Sequence, residues 1–261
     1  MRSLSIAGTG MLAQQTNVDV ISNNIANMNT TAFKRQRAEF QDLLYQQVER
    51  PGAATGGGDA RSPSGIQIGA GVRAAGVYRI AEQGALTTTG NRYDVAIEGN
   101  GYFQVTLPSG QTAYTRAGSF QLSDQGELVT ADGYRLDPGI TIPPEAVDVT
   151  ISRTGVVQIK LDGQPEMQNV GQLQLATFVN EAGLEAQGGN LFLATSASGE
   201  PNIASPGDPG FGMLRQGFVE ASNVNPVSEI TALITAQRAY EMNSRVVKTV
   251  DEMLATSSQL R

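Results

Sequence analysis

The sequence predicts an α+β protein in which long N- and C-terminal helices pair as a coiled-coil-like domain and an antiparallel all-β domain occupies the centre. Three observations predict it. Apolar residues recur every seven positions at both ends of the chain. Between residues 66 and 224 that period gives way to short apolar runs separated by turn signals such as Asp-Gly. The last 35 residues, from 227 onward, contain neither Gly nor Pro. A sustained spacing of seven is the pattern of a helical seam, whereas short runs broken by Asp-Gly are the pattern of hairpins.

Residues 3–28 read as the first helix. Leu4, Met11, Val18 and Ile25 form one row, and Ala7, Gln14, Ile21 and Met28 form its companion. The opposite face carries Gln, Asn, Ser and Thr rather than Glu and Lys, which suits a crowded polar contact better than a freely solvated face. Gly8 and Gly10 each weaken the first turns by about 1 kcal/mol relative to Ala. An isolated helix of this kind is marginal in water. The run Asn27-Met28-Asn29-Thr30-Thr31 ends it, because these side chains compete for backbone hydrogen bonds.

A loop or linker follows at Arg50–Asp59, rich in Gly. The β region then runs through Val77–Ile80, Val95–Ile97, Tyr102–Leu107, Gly118–Leu122, Glu127–Thr130, Val147–Ile151, Val156–Leu161, Gln172–Val179 and Leu191–Ala194. Asp124-Gln125-Gly126, Ala131-Asp132-Gly133 and Leu161-Asp162-Gly163 are among the turns that separate them. A small barrel or a sandwich accommodates such strands. A second soft stretch, 199–212, has four Gly and three Pro.

Residues 226–260 read as the second helix, about 50 Å long. Asn225 is placed to cap it and Pro226 to occupy its first position. Leu233, Tyr240, Val247 and Leu254 repeat every seven residues. Ala236 and Val250 lie three residues after two of them, and Ala239, Val246, Met253 and Leu260 flank the row. On pattern alone, both helices could cover one ordinary core, or they could pair with each other and with copies of themselves.

The domains expected are therefore a terminal helical domain (1–31 and 226–261), a connecting region (32–75 and 212–225) and a central β domain (76–211). The net charge of −7 is unevenly spread. Residues 1–45 carry four basic and three acidic side chains, and residues 226–261 carry four of each, so both ends are near neutral. The stretch 46–225 holds ten basic and eighteen acidic residues. Like charge keeps molecules apart, so the ends are the better candidates for self-association.

Composition excludes several classes of chemistry. Without His or Cys, the chain alone cannot build a Ser-His-Asp triad, a Cys-His pair, an ordinary zinc site or a disulfide. The acidic balance opposes nucleic-acid binding, and no apolar run reaches the length of a membrane-spanning helix. Gly69-Ala70-Gly71 with Gly76 misses the spacing of a nucleotide-binding loop. The Asp-Gly pairs lack the oxygen ladder of a calcium loop. No motif selects a carboxylate pair for glycoside hydrolysis, so no catalytic, metal or cofactor residue is expected. The cluster Lys34-Arg35-Gln36-Arg37 is either a charged surface or an ion-pair contact to a neighbouring subunit.

Several motifs resemble those of the bacterial flagellar rod and hook axial protein family. At the N-terminus they are Ser22-Asn23-Asn24-Ile25-Ala26-Asn27-Met28-Asn29-Thr30-Thr31-Ala32-Phe33-Lys34-Arg35, continued by Gln41–Gln46. In the centre they are Asp94–Val105 and Tyr114–Phe120. Near the C-terminus they are Asn223-Val224-Asn225-Pro226-Val227 and Gln237-Arg238-Ala239-Tyr240-Glu241-Met242-Asn243. Length and the inserted segment Gln47–Gly69 point to the distal-rod branch. Two positions depart from the family pattern. Ala32 stands where Gly is usual, which strains any left-handed backbone there, and Tyr93 stands where an aliphatic residue is usual.

The resemblance implies a non-enzymatic building block without cofactors. Its subunits polymerise helically into a hollow drive shaft that crosses the periplasm, transmits torque from motor to hook and forms part of the export channel. Terminal helices line the inner tube and the β domain faces outward. Implied partners are further copies of the chain, the proximal rod proteins, the hook protein, the ring bushing proteins of the outer membrane and peptidoglycan, and the flagellar type III export apparatus, which exports members without a cleaved signal peptide. The expected seam residues are Leu4, Met11, Val18, Ile21, Ile25, Leu233, Ala236, Tyr240, Val247, Val250 and Leu254. The motif residues carried over are Asn23, Asn24, Asn27, Phe33, Lys34, Arg35, Asn225, Pro226, Gln237 and Arg238. The alternatives are a secreted β-domain module that binds cell-wall glycan and carries helical oligomerisation arms and, behind it, a peptidoglycan-cleaving enzyme.

Overall fold

The computed structural model describes residues 2–49, 64–163 and 166–259. The fold is α+β, with a helix at each end and antiparallel strands between them. The chain divides into two compact units, one made of residues 1–26, 36–79 and 225–261, the other of residues 27–35 and 80–224. The connecting region expected over 32–75 and 212–225 is thus shared out between the two. The Gly-rich loop at Arg50–Asp59, most of the inserted segment and Leu260 lie outside the described residues.

The first unit is built on α1 (Arg2–Ala26) and α2 (Pro226–Gln259). α2 starts where Asn225 caps it: the Asn225 Oδ1 accepts the backbone N–H of Val227 at 3.0 Å and of Ser228 at 3.3 Å. Pro226 takes the first helical position, where its missing N–H costs nothing. The helices are antiparallel. Asn24 meets Glu229 at one end, and Gly10 lies against Asn243 fourteen residues back along α1 and fourteen onward along α2.

Strand Gln36–Asp42 pairs with Val72–Arg79, and Tyr45–Glu49 pairs with Ile66–Gly69, both antiparallel. Together they make one long hairpin, and α1 packs on its first ladder. The sequence reading reaches only the end of one of these strands, Val72–Arg79, through its run Val77–Ile80, and that strand is mostly exposed along its length.

The second unit holds the β core. Its largest sheet has seven strands in the spatial order Glu185–Gly188, Leu191–Leu193, Thr112–Thr115, Phe103–Thr106, Arg135–Asp137, Leu128–Val129 and Gln121–Leu122. A three-stranded meander runs through Ala146–Ile151, Val156–Leu161 and Met167–Gln172. Phe103, Val105, Leu128 and Leu136 of the sheet share one core with Val149, Val157 and Ile159 of the meander. The same core takes Val95 and Ile97 from the strand Val95–Glu98, Leu214 from its partner Met213–Gln216 and Leu175 from Leu175–Thr177, so more than two sheets enclose it. Phe103 and Phe120 meet edge to face at its centre, their ring centroids 5.1 Å apart.

The Asp-Gly signals are turns, as the sequence suggests. The Gly126 N–H reaches the Ser123 carbonyl at 3.0 Å, and the Gly133 N–H reaches the Thr130 carbonyl at 2.9 Å. Both glycines have positive φ, 76° and 83°, which an L side chain adopts only at a cost.

Candidate subunit interface

Pairing of α1 with α2 uses one face of each helix and leaves others open. The face of α1 used within the chain consists of Ala7, Ala13, Val20, Ile21 and Asn24. On α2 the buried residues are Glu229, Ala236 and Val250. Ala7, Ala13 and Ala236 are small enough to let the two backbones approach closely. A Cβ placed on Gly10 would lie 2.9 Å from Asn243 Nδ2.

The residues expected to form seams therefore separate into three groups. Ile21, Ala236 and Val250 are consumed inside the chain. Leu4, Met11, Val18, Ile25, Leu233 and Val247 are half-buried. Tyr240 and Leu254 remain 44% and 47% exposed. Further exposed apolar residues extend this open surface: Leu12 on α1, and Val227, Ile230, Ile234, Met242, Val246 and Met253 on α2. The sequence reading missed Ala13 and Val20 because it weighted large residues at strict sevens. Val227, Ile230 and Ile234 follow the three-and-four spacing of one helical stripe and could have been found that way.

The facing pairs fix how far α2 reaches. Residue numbers of facing positions sum to 253, so Arg2 stands level with 251. Residues 252–259 extend past the start of α1, an overhang of about 12 Å. Met253 and Leu254 sit on it, 58% and 47% exposed.

The hairpin exposes apolar surface as well. Leu44 is 88% exposed, and Tyr45, Val48, Ile66 and Ile68 project beside it. Residues 50–63 at its tip lie outside the described residues.

In the second unit the motif segment 27–35 is tied down by the segment that precedes α2. The Ala32 N–H donates to the Glu220 carbonyl at 2.8 Å, and the Asn223 N–H donates to the Phe33 carbonyl at 3.4 Å. The Asn223 side chain accepts the Arg35 N–H at 2.7 Å and donates to the carbonyls of Ile80 and Glu82. Asn27 closes the turn after α1, its carbonyl and Oδ1 both taken by Thr30. Ala32 does adopt a left-handed backbone, with φ of 57°. That geometry costs an Ala about 1–2 kcal/mol.

Lys34 corrects the expectation for the basic cluster. It is neither on the surface nor free for a neighbouring subunit, because its Nζ is buried against Glu220 Oε1 of the same chain. It also donates to the Glu82 carbonyl at 2.8 Å. The other carboxylate oxygen of Glu220 accepts Arg116 Nε at 2.9 Å, and Oε1 also accepts the Gly84 N–H. Arg116 Nη1 and Nη2 donate to the carbonyls of Gly101 and Gly99. Partners 186 residues apart leave no local trace in a sequence. Burial pushes the Glu220 carboxyl up, but the charges of Arg116 and Lys34 and its hydrogen bonds outweigh this and hold it below the usual carboxylate range. Burial, reinforced by Arg116, pushes the Lys34 ammonium below its ordinary value despite Glu220. Both values move down, which favours the charged form of Glu220 and disfavours that of Lys34: two cations outweigh burial at Glu220, whereas at Lys34 burial and Arg116 outweigh the anions Glu220 and Glu181.

The remaining motif residues are peripheral to these contacts. Asn23 lies on the exposed side of α1, and Gln237 and Arg238 on the exposed side of α2. Among the described residues, no group of three or more His, Cys, Asp or Glu could hold a metal ion. No described helix is long and apolar enough to cross a membrane.

Comparison with known proteins covers both ends and the centre of the chain. Residues 4–34 match the flagella basal body rod protein family, residues 96–159 the flagellar hook protein FlgE/F/G D1 domain, and residues 215–260 the flagellar basal body rod FlgEFG protein C-terminal region. The flagellar basal-body rod protein FlgG of Caulobacter vibrioides is 63% identical over 100% of both chains. That of Agrobacterium fabrum is 52% identical over 99% of each. The flagellar basal-body rod protein FlgF of Caulobacter vibrioides is 35% identical over 90% of this chain and 88% of its own.

Proposed function

The chain belongs to the family of the flagellar basal-body rod protein FlgG, and from that premise we propose that it is a structural subunit of the distal rod, polymerising helically into the hollow shaft that carries torque to the hook. Similarity over the full length, stronger to a FlgG than to a FlgF of the same organism, favours the distal branch. It includes both terminal helices and so leaves no support for a cell-wall-binding module or a peptidoglycan-cleaving enzyme. The family is one of structural parts, and the chain needs no cofactor for this role.

One observation carries the polymer reading. After α1 and α2 have paired, Leu4, Met11, Val18, Ile25, Leu233 and Val247 keep part of their surface, and Tyr240 and Leu254 are exposed. Apolar rows left open on two long helices are surplus to a single chain and suit neighbours in a tube. Burying about 300 Å² per subunit would contribute about 7 kcal/mol. Contacts between unlike faces of successive copies generate an open filament rather than a closed ring. The rod also requires partners at its two ends and around it: proximal rod proteins, the hook protein and the ring bushing. Delivery through the export apparatus suits helices that are marginal until they pack. The inserted segment Gln47–Gly69 stiffens the shaft by wedging between subunits, with the exposed apolar arms of the hairpin as its described part.

Electron microscopy of the purified full-length protein tests the function. Straight hollow rods are expected. Particles that stay dispersed at all concentrations, with normal rods assembled in cells lacking the gene, would overturn it.

A further inference from the structure

Apolar rows repeating every seven residues do not by themselves choose between registers one heptad apart. The terminal helices have this ambiguity in an acute form. α2 has 34 residues and α1 has 25. Sliding α1 by seven residues toward the C-terminus of α2 would still leave it covered along its whole length. Ala7, Ala13, Val20 and Ile21, which the observed register sets level with Val246, Tyr240, Leu233 and Ala232, would come level with Met253, Val247, Tyr240 and Ala239, so apolar residues would still meet apolar residues. The slide would nevertheless bring Arg2 level with 258 and shorten the overhang from eight residues to one. Register therefore decides which apolar surface the chain presents.

What distinguishes the observed register is polar. Asn24 is 1% exposed and Glu229 is 0% exposed. The Asn24 Nδ2 donates to Glu229 Oε2 at 3.0 Å and to the Gln36 carbonyl at 2.8 Å, while its Oδ1 accepts the Gln36 N–H at 2.8 Å. In the slid register Asn24 would face Ala236, and Glu229 would have no residue of α1 beside it. Only in the observed register does the Asn24 amide both lie buried and meet the Glu229 carboxylate, whose burial would be costly without a donor. The second distinguishing contact is steric. The Asn243 side chain occupies the space above Gly10, where a Cβ would come within 2.9 Å of it. One heptad away, Gly10 would face Val250 and Asn243 would face Asn17.

We propose that Asn24 and Glu229 are register-determining residues of the terminal helix pair, supported by the Gly10–Asn243 notch, and that they hold the overhang of α2 at eight residues. A buried polar pair gives up some stability relative to an apolar one and gains a unique alignment in return.

The chain contains no Cys, so introduced thiols report the register directly. The full-length protein carrying Gly10→Cys, Asn243→Cys and Val250→Cys is oxidised, and its disulfides are assigned by peptide mass spectrometry. The 10–243 bridge is expected to exceed the 10–250 bridge at least tenfold. Adding Asn24→Leu and Glu229→Leu should cut that preference below threefold with helicity retained by circular dichroism, whereas Glu229→Gln should keep most of it. The proposal is overturned by an undiminished preference in the leucine pair, by comparable bridges in the parent, or by a Glu229→Gln variant that behaves like the leucine one. Loss of helicity in the leucine pair also overturns it, since the contact would then hold the helices together rather than align them.

Discussion

The Lys34 ammonium donates to Glu220 across 186 residues of chain, with the two side chains only 5% and 1% exposed. Arg116 takes the other carboxylate oxygen. One buried carboxylate thus serves two buried cations and joins the motif segment after α1 to the segment before α2, within the β unit.

Removing the shared anion should be far worse than removing one cation. Glu220→Ala leaves Lys34 and Arg116 buried and facing each other, and a broken buried pair costs about 3–5 kcal/mol. Lys34→Met keeps the Glu220–Arg116 pair and should cost about 1–2 kcal/mol. Urea unfolding followed by a probe in the β unit checks the order; equal losses would contradict it.

The same group gives a pH dependence of defined sign. The Glu220 carboxyl lies below its ordinary range in the folded chain, so its contribution is present above that range and lost as pH falls through the folded value. Lys34 is also lowered, from an ordinary 10.5. The unfolded chain then binds more protons between the folded value and 10.5, and stability rises with pH across that window. Arg116 and Glu181 are the other charged groups that act on Lys34. Lys34→Met should abolish the alkaline rise, and Glu220→Gln should flatten the acid loss, as read from unfolding midpoints across pH.

Gly118 is required by space rather than by its backbone angle. A Cβ there would lie 1.7 Å from the Val95 carbonyl oxygen, inside the core. Gly118→Ala should cost more than about 3 kcal/mol. Gly133 has open space but φ of 83°, so Gly133→Ala should cost about 1–2 kcal/mol. Melting temperatures of the two variants should fall in that order.

Local patterns revealed the skeleton of the protein and little of its wiring. Seven-residue rows located α1 and α2, and Asp-Gly pairs located turns such as those at Gly126 and Gly133, because each signal is complete within a few residues. Strand Gln36–Asp42 stayed hidden because its exposure alternates only weakly. No local pattern singles out Glu229, and its meeting with Asn24 depends on the antiparallel alignment of two distant segments. The apolar rows were legible, but which row pairs inside the chain was decided by Ala7, Ala13 and Ala236, whose small size admits close approach. Lys34 was legible as a charge and not as a buried one, since Glu220 and Arg116 come from elsewhere in the chain.

The open apolar surface leads to the most direct test of the account. Leu254 is exposed on the α2 overhang, so Leu254→Asp should leave the β unit folded with an unchanged urea midpoint. The central claim is that such residues join one subunit to the next. Electron micrographs of basal bodies from cells whose only copy of the protein carries Leu254→Asp should show rods missing their distal part. Full-length, straight rods in those cells would contradict the claim.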